Sequence, residues 1–126
     1  MESWRELEVW QKAHSLVLEV YQLTTRFPSV ERFRLTDQLC QAAASVPANI
    51  IEGQARQTTK EYIHFLYNAR GSLEETRYHL LLARDLELLE SNVYASLERK
   101  YETVSKMLNG LIQSLKRKEE GGRIKD

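Results

Sequence analysis

The sequence predicts an all-α protein, an antiparallel up-and-down four-helix bundle, on three observations. Only 5 glycines and 2 prolines occur in 126 residues, so long stretches contain no residue that breaks a helix. Apolar residues recur by threes and fours, the spacing of a helix with one buried side, over residues 5–26, 35–54, 59–88 and 92–117. Short connections separate these segments, and short connections place successive helices antiparallel.

Length and charge narrow the class of protein. One domain over residues 1–118 is predicted, followed by a charged, glycine-broken tail over 119–126 that we expect to be disordered. The chain has 18 basic and 18 acidic side chains, so its net charge does not call for nucleic acid or an anionic membrane as partner. A single cysteine and the lack of a leader at the N-terminus predict a cytoplasmic protein, and no apolar run is long enough to span a membrane.

The first predicted helix ends at Pro28, because the residue before a proline disfavours the helical conformation. Phe27 is expected to fold back on the bundle from this turn. Its core-facing residues are Val9, Ala13, Leu16, Val20 and Leu23.

The second helix is the segment around which the bundle is organised, because it carries apolar residues on two sides. Leu39, Ala42 and Val46 form a core stripe, and a second apolar side lies roughly opposite. Pro47 either kinks a continuous helix or ends it; the apolar period resumes at Ile50, which favours the continuous helix, and Gly53 is a natural C-terminal stop. Ser45 or Asn49 is placed to satisfy the carbonyl that the proline frees.

The third and fourth helices carry the longest apolar seams. Thr58 and Glu61 have the spacing of a capping box at the start of helix three, and Ser91 is expected to cap helix four. Gly71, inside helix three, predicts close approach of another helix. The seam of helix four is Val93, Leu97, Tyr101, Val104, Leu108, Leu111 and Leu115.

Surplus apolar surface on helices two and three predicts self-association, since a single copy that buries one stripe leaves the other in water. The residues expected at the subunit contact are Cys40, Ala44, Pro47, Ile51, Ile63, Tyr67, Tyr78 and Leu81. Cys40 is interpreted as a small buried apolar residue with no sign of a nucleophile site.

Polar stripes on the same two helices predict a hydrogen-bond network that fixes which helices meet and in what register. Its predicted members are Gln38, Ser45, Asn49, Glu52, Asn68, Ser72 and Glu75. Two alternatives involve metal: Glu61 with His64 forms one Glu-x-x-His unit, and Glu75 with His79 has the i to i+4 spacing of two ligands. Capping by Glu61 and bonding between helices are favoured over both, so no metal site is predicted.

A heptad-spaced arginine stripe on helix three is the candidate for phosphate contact. Arg70, Arg77 and Arg84 form this stripe with a repeat of seven residues, and Arg56 and Lys60, near the start of the helix, share the assignment. The competing interpretation is that Glu74 forms intrahelical pairs with its arginine neighbours.

Three segments, LEVWQKAHSLVLEVYQLTTRFPSVERF, QLCQAAASVPANIIEGQAR and FLYNARGSLEET, resemble the bacterial four-helix-bundle family of 23S rRNA-intervening sequence proteins. The resemblance covers roughly Trp4 to Leu115. It implies an all-helical protomer assembled into a ring, usually a homopentamer, and for the family as a whole no enzymatic activity is implied. It also implies a relation to the accessory proteins of diversity-generating retroelements, which look like adaptors for RNA and reverse transcriptase. Cys40 and Gln41 stand where the family often has arginines. The resemblance therefore supports nucleic-acid binding by this chain less strongly.

The sequence therefore predicts a non-enzymatic homo-oligomeric helical scaffold or adaptor, without catalytic residues, cofactor or small-molecule substrate. An RNA-binding ring that acts with an RNA or reverse transcriptase partner is the alternative, and a metal enzyme is third.

Overall fold

Four α-helices form the protein in a computed structural model that describes residues 3–125, with side chains for residues 3–121. Helix α1 spans Glu8–Thr24, α2 spans Asp37–Gln54, α3 spans Thr59–Asp85 and α4 spans Ser91–Lys125. Each helix packs against the next along the chain, and α4 returns to pack against α1. The predicted all-α bundle is thereby confirmed at the level of four helices. No helix in the described part of the chain is long and apolar enough to cross a membrane.

Two short helical turns link α1 to α2. A 3-10 turn at Ser29–Glu31 runs directly into a π-helical turn at Arg32–Thr36, which continues as α2. Phe27, just before this connection, is 9% exposed and joins the core as predicted.

The ends of the bundle differ from the predicted boundaries. Residues 5 and 6, predicted as helix, belong to a separate 3-10 turn at Trp4–Glu6. At the other end, residues 119–125 continue α4 instead of forming the expected disordered tail, and residue 126 lies outside the described residues. Lysine, arginine and glutamate are good helix formers, so the charged run before the glycines extends the helix.

The core lies between the inner sides of all four helices. Leu39, Ile50, Leu66, Leu80 and Leu108 are all 0% exposed. Along α4 the structure departs from the predicted seam at both ends, because Val93 is 37% exposed and Ile112, at 1%, is buried in place of Leu111.

Helix α2 runs without interruption through Pro47, which confirms the continuous helix over the alternative that the proline ends it. Proline removes one backbone donor from the helix. The side-chain amide of Asn49 donates to the carbonyl oxygen of Ser45 at 2.8 Å, so this polar residue bridges the turn that contains the proline.

The premise that α2 leaves a second apolar side in water is wrong. Pro47 is buried, and Cys40, Ala44 and Ile51 are half-buried, within the single chain. The reason is that α2 lies between α1 and α3 and is covered from both sides; the Cys40 thiol, for example, lies 3.6 Å from the Thr24 hydroxyl of α1. Pro47 is therefore unavailable for the predicted subunit contact, and the half-buried three offer only part of their surface.

Helix α3 keeps more of its predicted second side exposed. Ile63 is 7% exposed and belongs to the core, whereas Tyr78 is 58% exposed. Tyr67 and Leu81 are half-buried. Ile63 therefore packs within the chain, and not against another subunit as expected. Tyr78 is the most exposed of the predicted subunit-contact residues on α3.

Two helical glycines have opposite surroundings. A Cβ atom on Gly53 would lie 2.9 Å from Cβ of Phe65 and 3.1 Å from the carbonyl oxygen of Tyr62, so α2 and α3 approach each other across this glycine. A Cβ atom on Gly71 would meet no described atom within 4 Å. The close approach predicted at Gly71 occurs instead at Gly53.

We expect Gly53→Ala to lower the free energy of unfolding by about 1–3 kcal/mol, because the added methyl group overpacks the contact between α2 and α3. Gly71→Ala is the matched control, and it should raise stability by about 0.5–1 kcal/mol through helix propensity alone. Urea unfolding followed by circular dichroism measures both. Equal effects of the two substitutions would contradict the difference in packing.

The C-terminus of α3 is closed by a Schellman motif. The backbone N–H of Leu88 donates to the carbonyl of Ala83 at 2.9 Å, and that of Glu87 donates to the carbonyl of Arg84 at 2.9 Å. The motif requires a left-handed residue, and Glu87 supplies it with φ of 62°. A side chain in this conformation carries a steric cost that glycine does not.

Replacing Glu87 by glycine should therefore stabilise the protein by about 1 kcal/mol. The melting temperature measured by calorimetry should rise by a few degrees. Glu87→Ala serves as the control, because it removes the same charge and keeps the Cβ atom. If alanine stabilises as much as glycine, charge rather than backbone strain is the cause.

Candidate functional site

A hydrogen-bond network joins α2 to α3 near the middle of both helices. The hydroxyl oxygens of Ser45 and Ser72 lie 2.8 Å apart, and the Asn49 amide donates to the Ser45 hydroxyl at 2.9 Å. The Thr76 hydroxyl donates to the carbonyl of Ser72 at 2.8 Å. The first three residues belong to the predicted network, whereas Thr76 is not among its predicted members. The network fixes the register of two helices and offers no reactive group.

Other predicted members of the network lie apart from it. The Gln38 side chain donates to the Arg34 carbonyl at 3.3 Å, and Glu52 forms an ion pair with Arg56 at 2.7 Å. Asn68 is exposed. The predicted polar stripe of α2 extends beyond its interface with α3, so only the residues nearest α3 take part in the hydrogen-bond network.

His79 is the most buried titratable group of the candidate metal positions. The residue is 9% exposed, and its Nε2 atom lies 3.3 Å from the Glu75 carboxylate. No group of three His, Cys, Asp or Glu side chains among the described residues is placed to hold a metal. This pair is therefore a contact within α3.

Thr58 caps the N-terminus of α3, as predicted, and Glu61 hydrogen-bonds to the Thr58 side chain rather than to its backbone N–H. The Thr58 hydroxyl accepts a hydrogen bond from the Glu61 backbone N–H at 3.1 Å and donates to the Glu61 carboxylate at 2.8 Å. His64 is exposed at the following turn. Capping explains the Glu-x-x-His pattern without a metal.

The arginine stripe of α3 lies along α4. Arg77 donates to Glu98 of α4, with its Nε atom 3.0 Å from the carboxylate oxygen, and also donates to Glu74 at 3.1 Å. The hydrogen bond to Glu98 raises the pKa of Arg77. Arg70 donates to the Asn109 side chain at 3.1 Å. These contacts direct the guanidinium groups to the neighbouring helix.

The remaining cations of the stripe also have partners or lie at the surface. The Arg84 guanidinium lies 4.7 Å from the centre of the Tyr94 ring of α4. The Arg56 guanidinium lies 4.5 Å from the Phe65 ring in addition to its pair with Glu52. Lys60 is exposed. Of the five predicted phosphate contacts, Arg56, Lys60 and Arg70 are exposed, and Arg77 and Arg84 are half-buried.

Two cations flank Tyr67 where α3 meets α4. The Arg70 guanidinium lies 4.7 Å from the centre of the ring, and the Lys116 ammonium group of α4 lies 5.2 Å from it. Cations over aromatic rings stabilise such contacts by about 0.5–1 kcal/mol at exposed sites. This predicted subunit-contact residue therefore helps to join two helices of one chain.

The connection between α1 and α2 carries exposed apolar residues that the sequence analysis did not assign to any surface. Phe33 is 76% exposed and Val30 is 63% exposed, the highest values among the large apolar side chains of the described chain. In the sequence, the signal for these residues was that they lie between two predicted helices and belong to the apolar repeat of neither. Helical periodicity alone could not show which way they point.

We expect Arg77 and Glu98 to show a coupling energy of about 1 kcal/mol in a double-mutant cycle, because both side chains are about one-quarter exposed. Arg77→Ala, Glu98→Ala and the double variant would be compared by urea unfolding. The more exposed pair Arg56 and Glu52 is the control, with an expected coupling of about 0.3–0.5 kcal/mol. A coupling energy near zero for Arg77 and Glu98 would show that the contact contributes nothing to stability.

Comparison with known proteins agrees with this architecture. The chain is similar to a protein of unknown function from the S23 ribosomal protein family of Bacteroides thetaiotaomicron, whose crystal structure aligns with a TM-score of 0.77 at 24% sequence identity. The alignment covers 83% of this chain and 95% of that one, and at this identity it shows the fold. A search among curated proteins finds no match.

A family model described as 23S rRNA-intervening sequence protein matches residues 5–110, which is most of the chain and includes α1, α2, α3 and the greater part of α4. The chain therefore belongs to the 23S rRNA-intervening sequence protein family.

Proposed function

We propose that the chain is a self-associating helical scaffold or adaptor with no catalytic activity of its own. On the family resemblance, the assembly we propose is a homopentameric ring. The observation that carries the proposal is the exposure of large apolar side chains on ordered elements: Phe33 is 76% exposed, Val30 63%, and both Leu18 and Tyr78 58%.

Exposed apolar area of this kind favours association. Burial contributes about 25 cal/mol per Å2 of apolar surface, and an aromatic side chain buries about 150–250 Å2. Burying Phe33 and Tyr78 in a subunit contact would therefore contribute several kcal/mol. These residues lie on a helix and on a helical turn, so little conformational entropy remains to be lost when a partner covers them.

The alternative function is an RNA-binding ring that acts with an RNA or reverse transcriptase partner. Phosphate contact needs cations that face solvent. Arg77 is half-buried and donates to Glu98 of α4, while Arg70, although exposed, donates to Asn109. This geometry favours the scaffold. Retention on RNA or heparin that falls steeply with added salt would favour the alternative instead, and failure to bind at low salt would favour the scaffold.

Sedimentation velocity should show an oligomer at micromolar concentrations, since the exposed apolar side chains are covered only when copies meet. Multi-angle light scattering after size exclusion should give a mass that is an integer multiple of 14.7 kDa, with a pentamer expected from the family. Dilution to nanomolar concentrations is the control for reversible association. A monomer throughout the micromolar range would contradict the proposal.

A further inference from the structure

The connection between α1 and α2 projects two apolar side chains into solvent. Val30 lies in the 3-10 turn at 63% exposure, and Phe33 lies in the π-helical turn at 76% exposure. We call these two residues the connector knob. Nothing in the described part of the chain covers them, although such side chains gain free energy on leaving water.

The connector knob stands on a rigid base. Glu31, between its two residues, is only 7% exposed and accepts two hydrogen bonds from the Arg34 guanidinium, at 2.7 Å and 3.2 Å. The Glu31 backbone N–H also donates to the Pro28 carbonyl at 2.9 Å. Because the base is already ordered, a partner that binds the knob does not have to fix the backbone.

A groove lies at the same end of the bundle. The connection between α1 and α2 and the loop between α3 and α4 share this end, because successive helices are antiparallel. The groove has a volume of about 530 Å3 and apolar lining residues that include Leu23 of α1, Leu88 of the loop and Val93 of α4. We call it the end groove. Pockets that hold ligands have volumes of about 300–1,000 Å3, so the end groove has room for side chains of a partner.

The charges beside the knob and the groove are complementary. Arg32, next to the connector knob, has its guanidinium 5.4 Å from the centre of the Phe33 ring and forms no ion pair within the described part of the chain. The end groove is bordered by two carboxylates, Glu19 and Glu90, against one guanidinium, Arg26. Glu19 is paired with Lys100 at 2.9 Å, whereas Glu90 forms no ion pair with the described residues. An unpaired cation and an unpaired anion are therefore available for a contact between chains.

We propose that the connector knob of one copy inserts into the end groove of a second copy, with Arg32 placed beside Glu90. The inference rests on the proposed function, self-association, and names the contact by which it occurs. Each copy has one knob and one groove, so the contact joins unlike surfaces and repeats from copy to copy. Such a head-to-tail contact closes into a ring when the rotation between copies allows it.

Substitutions on either side of the contact test the inference. Phe33→Ser and Val93→Glu should each weaken self-association at least about tenfold in sedimentation equilibrium, because one removes the knob and the other places a charge in the groove. Tyr21→Ser is the matched control, since it removes a 51% exposed aromatic residue from α1 that the proposed contact does not use, and it should leave association unchanged. Circular dichroism would verify that each variant keeps its helix content.

A charge exchange identifies the partner surface. Arg32→Glu and Glu90→Lys should each weaken association, because each places like charges together in a contact between identical copies. An equimolar mixture of the two variants should recover association in part, since every contact between unlike copies joins opposite charges, whereas a ring of five must keep at least one contact between like copies. The double variant, which carries both substitutions in one chain, should also associate.

The outcomes separate the inference from the proposed function. A monomeric wild-type protein contradicts both. A wild-type oligomer that Phe33→Ser and Val93→Glu leave intact contradicts the inference alone and keeps the scaffold, with subunits joined elsewhere or the knob reserved for a different protein. Loss of association in the single variants without recovery in the double variant, in which every contact again joins opposite charges, would show that the connector knob does not meet the end groove.

Discussion

The close contact between α2 and α3 is the constraint on which the rest of the bundle depends. At Gly53, near one end of the contact, the two helices lie so close together that an added Cβ atom would overlap atoms of α3. The hydroxyl pair of Ser45 and Ser72 fixes their register near the middle. Pro47 lies between these two points and remains helical, with Asn49 bridging its turn. With α2 held in this way, α1 covers its remaining apolar side, and the chain buries surface that would otherwise require a second copy.

Several predictions that depend on local sequence signals succeeded, whereas one that depends on the neighbours of α2 did not. Four helices, the cap at Thr58 and the buried turn at Phe27 follow from local signals, namely apolar period, cap spacing and proline. The second apolar side of α2 was expected to lie in water in a single copy, because a helical wheel shows that a side is apolar and cannot show which neighbour covers it. Only the packing of α1 against Cys40 settles that question.

The arginine stripe shows a second limit of the same kind. Its heptad spacing is visible in the sequence, and phosphate binding and ion pairing are equally consistent with it. The distinction depends on the register of α4, which places Glu98 and Asn109 opposite Arg77 and Arg70. The connector knob was missed for a related reason, since Phe33 lies in a π-helical turn and helical periodicity at 3.6 residues per turn does not describe its direction.

The order in which the helices pack has a consequence for how the chain folds. Most interhelical contacts join consecutive helices, so they close short loops, and topologies of this kind fold in about microseconds to milliseconds. The contact between α1 and α4 is different, because the ion pair of Glu19 and Lys100 joins residues 81 positions apart. Closing that distance costs the most chain entropy. We therefore expect the hairpin of α2 and α3 to form first and the first helix to dock against the last helix late in folding.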